Sequence, residues 1–302
     1  MKEKKLIVIV GPTAVGKTTS SIALAKFFSG EIVSADSRQF FRELEIGTAK
    51  PSSDELALIP HHFINSHSIV HEYDVGAFEH DVIDLLDLKF KSLDSMFLVG
   101  GSGLYINAIC DGLDKFPAIE RAIRDQLNIQ LVEDGLDALV EKLHDLDPEY
   151  AKSVDLKNPQ RVIRALEVSI GTGQPFSTFR KSQQMERSFD VIKIGLERER
   201  SELYERIDQR MDQMIIDGLF EEAIQFKDHQ HLNALQTVGY KEIFAYLNDE
   251  YDKEEAIRLL KRNSRRYAKR QLTWFKKDPA IKWFKPDDMD GITKYLEQKI
   301  LE

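Results

Sequence analysis

Residues 6–18 read L-I-V-I-V-G-P-T-A-V-G-K-T. Leu6–Val10 is a short, mostly β-branched apolar run of the kind that forms a strand buried on both faces of a parallel sheet. It leads into Gly11, and Gly11, Gly16, Lys17 and Thr18 satisfy G-x-x-x-x-G-K-[ST] ahead of a helical run from Thr18 to Phe28. Strand, glycine loop and helix in that order make a phosphate cradle: the glycines turn backbone N–H groups onto phosphate oxygens, and the helix N-terminus adds a favourable field. Gly11, Pro12, Thr13, Ala14, Val15, Gly16, Lys17 and Thr18 are therefore expected to hold a di- or triphosphate, with Lys17 neutralising terminal charge and the Thr18 hydroxyl reaching a Mg²⁺ ion. The loop does not say what is done with the phosphate.

Outward from this stretch, Glu31–Ala35 and Met96–Val99 read as further buried strands, and Val191–Leu196 as another. In parallel α/β sheets the chemistry gathers at the carboxyl ends of the strands, which puts Asp36-Ser37-Arg38-Gln39 on the rim of the phosphate loop. Asp36 can be a general base, a Mg²⁺ ligand or the N-cap of the following turn. Gly100-Gly101-Ser102-Gly103 is a second strand-to-helix turn on that rim, suited either to close approach of a substrate near the Ser102 hydroxyl or to tight packing. Val75–Leu88 places Phe78, Val82, Leu85 and Leu86 on one stripe, as expected of a helix that covers the sheet. His61, His62, His67 and His71 lack zinc-type companions and read as solvated or core-edge side chains.

Between Asp114 and about Phe189 the strand runs give way to amphipathic helices, so the chain divides into a core (1–113), a helical insertion (114–190) and the rest of the core (191–302). The best-marked helix of the insertion has Asn158 as N-cap and Pro159 in its first turn and is expected to stop at Gly171; Gln160, Arg161 and Arg164 share its polar side. In the second core part Arg206 and Arg210 lie one turn apart on a helix whose buried stripe is Leu203, Ile207, Met211 and Met214. Arg258–Lys277 then carries nine Lys or Arg and no acidic residue. The whole chain has 42 basic and 51 acidic residues in 302, a net charge of −9, so such a local excess is the footprint of an RNA-binding face. The single cysteine, Cys110, excludes an internal disulfide and a Cys-rich zinc module. No apolar run approaches the roughly 20 residues of a membrane span, so a cytoplasmic protein is expected.

Taken together, these segments resemble the bacterial tRNA dimethylallyltransferases (the IPP transferase family). The matching motifs are G-P-T-A-V-G-K-T (11–18), S-A-D-S-R-Q (34–39), I-G-T-A-K-P (46–51), L-V-G-G-S-G-L-Y (98–105), N-P-Q-R-V-I-R-A-L-E-V (158–168), R-I-D-Q-R (206–210), V-G-Y-K (238–241) and A-K-R-Q-L-T-W (268–274). They stand in family order over nearly the whole chain. The resemblance implies a phosphate-loop NTPase-like parallel α/β core, with the helical insertion gripping the anticodon stem-loop of tRNA. It implies that the phosphate loop takes the diphosphate of dimethylallyl diphosphate, with Mg²⁺ at Thr18, and that Lys17 and Arg210 meet the leaving group. Asp36 then matches the base that takes a proton from adenine N6, and Ser102 the residue that contacts the extruded base. Asp36, Ser37, Arg38 and Gln39, with Gln160, Arg161, Val162, Ile163 and Arg164, match tRNA-contacting segments, and Arg124 is a further contact.

The chain departs from the family pattern at Phe41, where Tyr is usual, and at Ser102, where Thr is commoner; 62–68 (H-F-I-N-S-H-S) lacks the Asp-rich sequence often found there. Nothing in the residues demands more than a monomer. Two other readings use the same core: a small-molecule kinase with Asp36 on Mg²⁺, or a non-catalytic RNA-binding module that uses nucleotide as a switch.

Overall fold

A computed structural model describes residues 4–180 and 185–301. They divide into two compact units, one built from residues up to Cys110 and from Glu186 onward, the other spanning Asp111–Met185.

The first unit is organised by a six-stranded sheet, β1 (Lys5–Val10), β2 (Glu31–Ser34), β3 (His61–His62), β4 (Ser95–Gly100), β5 (Asp190–Leu196) and β6 (Lys282–Phe284), in the order β3-β2-β4-β1-β5-β6. Every pairing is parallel. β1 lies in the middle: Val10 is level with Gly100 of β4 and with Gly195 of β5. Leu6 to Val10 are all 0 % exposed, because alternate residues serve different cores. Leu6, Val8 and Val10 pack with Val33, Phe78 and Leu98 on one face, and Ile7 and Ile9 with Ile32, Phe97 and Ile194 on the other. The period of two explains why no polar residue interrupts the run.

Helices Lys17–Phe27, Val75–Lys89, Gly103–Asp111, Arg200–Ile216 and Lys253–Phe275 belong to this unit. On Val75–Lys89, Phe78, Val82 and Leu86 are buried, while Leu85 is half-buried at the stripe's edge. His61 and His62 form β3 itself; His62 Nε2 lies 2.6 Å from the Glu31 carboxylate and His61 Nδ1 2.9 Å from the Ile59 carbonyl. Among the described residues no helix is long and apolar enough to cross a membrane.

The second unit is helical, with Arg121–Glu133, Gly135–Leu146, Pro148–Ser153 and Pro159–Thr172 around a core of Leu127, Leu139, Leu143, Val162, Ile163 and Leu166. It starts a few residues before 114 and ends short of 190, since Phe189 packs in the core of the sheet unit and Asp190 opens β5. Asn158 caps the last of these helices through the Arg161 N–H, as its sequence predicts. That helix does not stop at Gly171. It runs on to Thr172, and Gly173, at φ 68°, supplies the left-handed residue that ends it. Gly171 is small for another reason: a Cβ there would stand 2.7 Å from Ile119 Cγ2.

Candidate functional site

The carboxyl ends of β1, β2 and β4 open onto a cavity of about 560 Å³, which brings together residues 13–19, 36–39, 47–49, 99–101 and 237–239 with Arg206, Ile207, Gln209, Arg210, Met211, Met214, Leu219, Ser264, Tyr267 and Gln271. All of them belong to the first unit.

The phosphate loop is bent by its glycines. Gly11 has φ 154° and a Cβ there would meet the Leu196 carbonyl at 2.7 Å; Gly16, at φ 114°, is the N-cap of Lys17–Phe27 and offers no side-chain cap. The opening N–H groups of that helix therefore face the cavity as an anion seat. Carbonyls of the loop are held from outside, Ala14 by Arg206 Nε and Val15 by Arg198 Nε, both at 2.9 Å. Lys17 Nζ donates to the carbonyls of Gly11 (2.9 Å) and Pro12 (2.8 Å). Burial first, and then the Arg210 charge, push its pKa down to about 8, against a smaller opposing pull from Asp36. Arg210 is likewise held below its ordinary value by burial, with Asp36 again pulling the other way. Among the described residues neither cation has a carboxylate within ion-pair distance. The site is thus a desolvated positive pocket, and such a pocket favours a multiply charged anion.

Asp36 follows β2 and has its rotamer fixed by the Arg38 N–H, which donates to Oδ1 at 2.9 Å. Ser102 is engaged by Ser37: its Oγ accepts the Ser37 N–H at 3.0 Å and donates to Ser37 Oγ at 3.2 Å. Tyr267 also bonds Ser102, and its phenol is pushed up to about 12, by burial first and then by the Asp36 charge. Arg38 is held by its Nη1 bond to the Ser37 carbonyl (3.2 Å), whereas its Nε is buried with no hydrogen-bond partner. Gln39 bonds Ser34 Oγ and the carbonyls of Thr48 and Ala49, so it shapes the wall of the pocket.

Sequence reasoning missed Gln271. Its Oε1 accepts the Thr13 N–H at 2.9 Å and its Nε2 donates to the Gly101 carbonyl at 3.0 Å, so one buried amide ties the phosphate loop to the Ser102 turn. A Cβ on Gly101 would overlap Gln271, and one on Gly103 would overlap Trp274, so packing accounts for those two glycines. The basic helix is therefore two-faced. Tyr267 and Gln271 build the pocket, Lys261 and Arg265 pair with Asp212 and Asp208 at 2.6 Å, and Arg266, Lys269 and Arg270 stay exposed. The motif A-K-R-Q-L-T-W contains Gln271, but nothing local sets it apart from its basic neighbours.

A profile described as "IPP transferase" matches residues 39–278. The chain belongs to the IPP transferase family. It is 53% identical to a protein named tRNA dimethylallyltransferase from Christiangramia forsetii over 98% of both chains, and 48% identical to one of the same name from Cytophaga hutchinsonii over 99% of this chain and 98% of that one. Among solved structures it resembles the tRNA isopentenylpyrophosphate transferase of Bacillus halodurans, with a TM-score of 0.74 and 38% identity over 99% of this chain and 97% of the other. A eukaryotic dimethylallyltransferase acting on tRNA gives a TM-score of 0.79 at 27% identity over 94% of this chain and 74% of that one. Those IPP transferase neighbours have a phosphate-loop NTPase-like fold, in keeping with the parallel core seen here.

In the helical unit a different cluster forms. Glu167, 6 % exposed, accepts Arg124 Nη1 at 2.9 Å and pairs with Arg164 Nη1 at 3.1 Å, while Arg124 Nη2 donates to Gln160 Oε1 at 3.0 Å. Arg124, Gln160 and Arg164 thus come together; Arg161 is exposed beside them. Val162 and Ile163 do not join as side chains. Both are 0 % exposed in the unit's core, because they fall on the apolar face of the helix that presents Arg161 outward.

Proposed function

We propose that the chain transfers the dimethylallyl group of dimethylallyl diphosphate to N6 of the adenine 3′ of the anticodon in tRNA, releasing diphosphate. The observation that carries this is the pairing, in one cavity, of a carboxylate with two cations that form no ion pair among the described residues: Asp36 beside Lys17 and Arg210. The chain's curated relatives over nearly its full length are named tRNA dimethylallyltransferase, which disfavours the kinase reading.

In this mechanism adenine N6 attacks the allylic carbon, a new N–C bond forms and the C–O bond to diphosphate breaks, the electron pair leaving with the phosphate oxygen. Asp36 accepts the N6 proton. Its Oδ1 is anchored by the Arg38 N–H, which leaves the other oxygen for that task. Lys17, Arg210 and the N–H groups after Gly16 meet the negative charge that grows on the departing diphosphate. Ser102, released from Ser37, receives the base beside Tyr267 and Arg38, whose unpartnered Nε gains an acceptor. The target base must leave its stack to reach this pocket.

The donor set fits Mg²⁺. Thr18 offers an oxygen at the cavity wall, and among the described residues no group of three or more His, Cys, Asp or Glu could cage a metal. An ion that takes most of its ligands from phosphate and water suits such a site. When bound it supplies further charge neutralisation at the diphosphate.

The helical unit's Arg124, Gln160, Arg161 and Arg164 are assigned to the anticodon stem-loop. We propose a monomer. A lone cysteine and the proposed RNA substrate support a cytoplasmic location. The test is to supply Mg²⁺, labelled dimethylallyl diphosphate and an anticodon stem-loop with adenine after the anticodon. Label on the RNA, lost with Asp36→Ala, is the expected result; consumption of ATP with unlabelled RNA would replace this reading with a kinase.

A further inference from the structure

Part of the cavity is apolar and is not used by the chemistry above. One turn along helix Arg200–Ile216 from Arg210 stands Met214, next to Met211; Leu219 follows the turn at Gly218, and Val238 completes the wall. Met211, Met214 and Leu219 are buried. A helical turn rises about 5.4 Å, close to the reach of a five-carbon allyl chain. For a diphosphate held at Lys17 and Arg210, this wall would lie within reach of the hydrocarbon.

One carboxylate ties together the segments that frame it. Glu222 is 8 % exposed. Its Oε2 accepts the N–H groups of Glu45 and Ile46, each at 2.8 Å, and its Oε1 accepts the Gly47 N–H at 2.9 Å and the Tyr240 hydroxyl at 2.6 Å. Four donors compensate the desolvation of this buried charge and leave it little freedom. Gly47 lies directly on the phenol, since a Cβ there would come within 2.6 Å of the Tyr240 ring. Burial, and then Glu222, hold the phenol proton well above its ordinary range, so Tyr240 remains a donor. From the other side, Gln39 Nε2 holds the carbonyls of Thr48 (3.3 Å) and Ala49 (3.2 Å). Residues 47–49 and 237–239, both part of the cavity wall, are thereby fixed to each other through Glu222 and Tyr240.

We propose that Glu222, acting with Tyr240, is a positioning residue that sets the depth of the hydrocarbon subsite and so restricts the transferred chain to five carbons. This rests on the prenyl-transfer reading. Neither residue touches the reacting atoms: the latch keeps residues 47–49 from retreating before a longer chain.

The test compares kcat/KM for dimethylallyl diphosphate and its ten-carbon homologue, geranyl diphosphate, with stem-loop RNA as acceptor, alongside the Kd of inorganic pyrophosphate. Wild type, Tyr240→Phe, Glu222→Gln and Met214→Ala are measured in parallel. The preference for five carbons is expected to fall by about tenfold or more in Tyr240→Phe and Glu222→Gln, and also in Met214→Ala, which adds room, while pyrophosphate Kd stays within about twofold. If Glu222→Gln fails to fold, Tyr240→Phe decides. An unchanged preference in Tyr240→Phe overturns the proposal, whatever Met214→Ala shows. So does a loss of pyrophosphate binding in Tyr240→Phe that matches its loss of transfer, because the latch would then be serving the fold alone. A wild-type protein that transfers neither chain overturns the prenyl-transfer reading itself, and that failure is recognised without any variant.

Discussion

Arg210 and Arg164 both ride on helices and both are half-buried, yet their surroundings differ. Arg164 shares the buried carboxylate of Glu167 with Arg124 and lies over the Phe116 ring at 5.2 Å. Arg210 stands near Lys17, and among the described residues the field of Asp36 is what offsets them. Two cations desolvated side by side are costly until a polyanion arrives, which suits a seat for a leaving group whose charge grows during reaction. Arginines already paired with a glutamate gain less from each phosphate they meet, but they arrive oriented. The pocket is built for strong local charge and the helical unit for geometry.

Removing Asp36 is the harshest way to probe the pocket side of this contrast. Asp36→Ala should cut single-turnover prenyl transfer about 10²–10⁴-fold while RNA binding by gel shift persists. Arg210→Ala should follow at about 10²–10³-fold in kcat, with the affinity for unmodified RNA unaltered; equal damage to RNA binding would break the division between the two regions. Acidity gives a finer probe. Lys17 is protonated below about pH 8 in the ligand-free protein and must be charged to hold diphosphate. Pyrophosphate affinity, measured calorimetrically as the difference between wild type and Lys17→Met, should therefore weaken above that pH by up to about tenfold per unit. The smallest effect belongs to the helical unit. Arg164→Ala should weaken stem-loop binding only about three- to tenfold and lower the salt slope by about one, leaving pyrophosphate affinity in place.

What could be read from the residues and what could not divides by distance along the chain. β1, the glycine loop and its helix are contiguous, so their pattern carries both the fold and the phosphate seat. Asp36 and Ser102 follow buried strands, and a parallel sheet brings such strand ends to one rim. Gln271, Glu222 and Glu167 were silent because their meaning lies in partners far away. Gln271 reaches a residue 258 positions earlier, Glu222 one 177 positions earlier, and Glu167 one 43 positions earlier. A lone Gln in a basic helix, or a Glu among other acids, carries no local pattern. The basic helix shows the same limit. Its charge excess is plain in the sequence, but Asp208 and Asp212 come from another helix and take up two of its cations. β3 and β6 are two and three residues long, too short to leave a hydrophobic signature of their own.

The placement of β1 has a consequence for how the chain is made on the ribosome. Its apolar residues leave the exit tunnel long before the strands that flank them, since Lys5 pairs with Ser95 and with Asp190. Until both neighbours have been translated, the central strand has two open edges and two bare faces, a condition in which nascent chains attract chaperones. The amide of Gln271 closes the phosphate loop later still. A growing chain therefore acquires no competent phosphate seat until almost all of these residues have been synthesised, and fragments released early should be inert toward the diphosphate substrate rather than partly active.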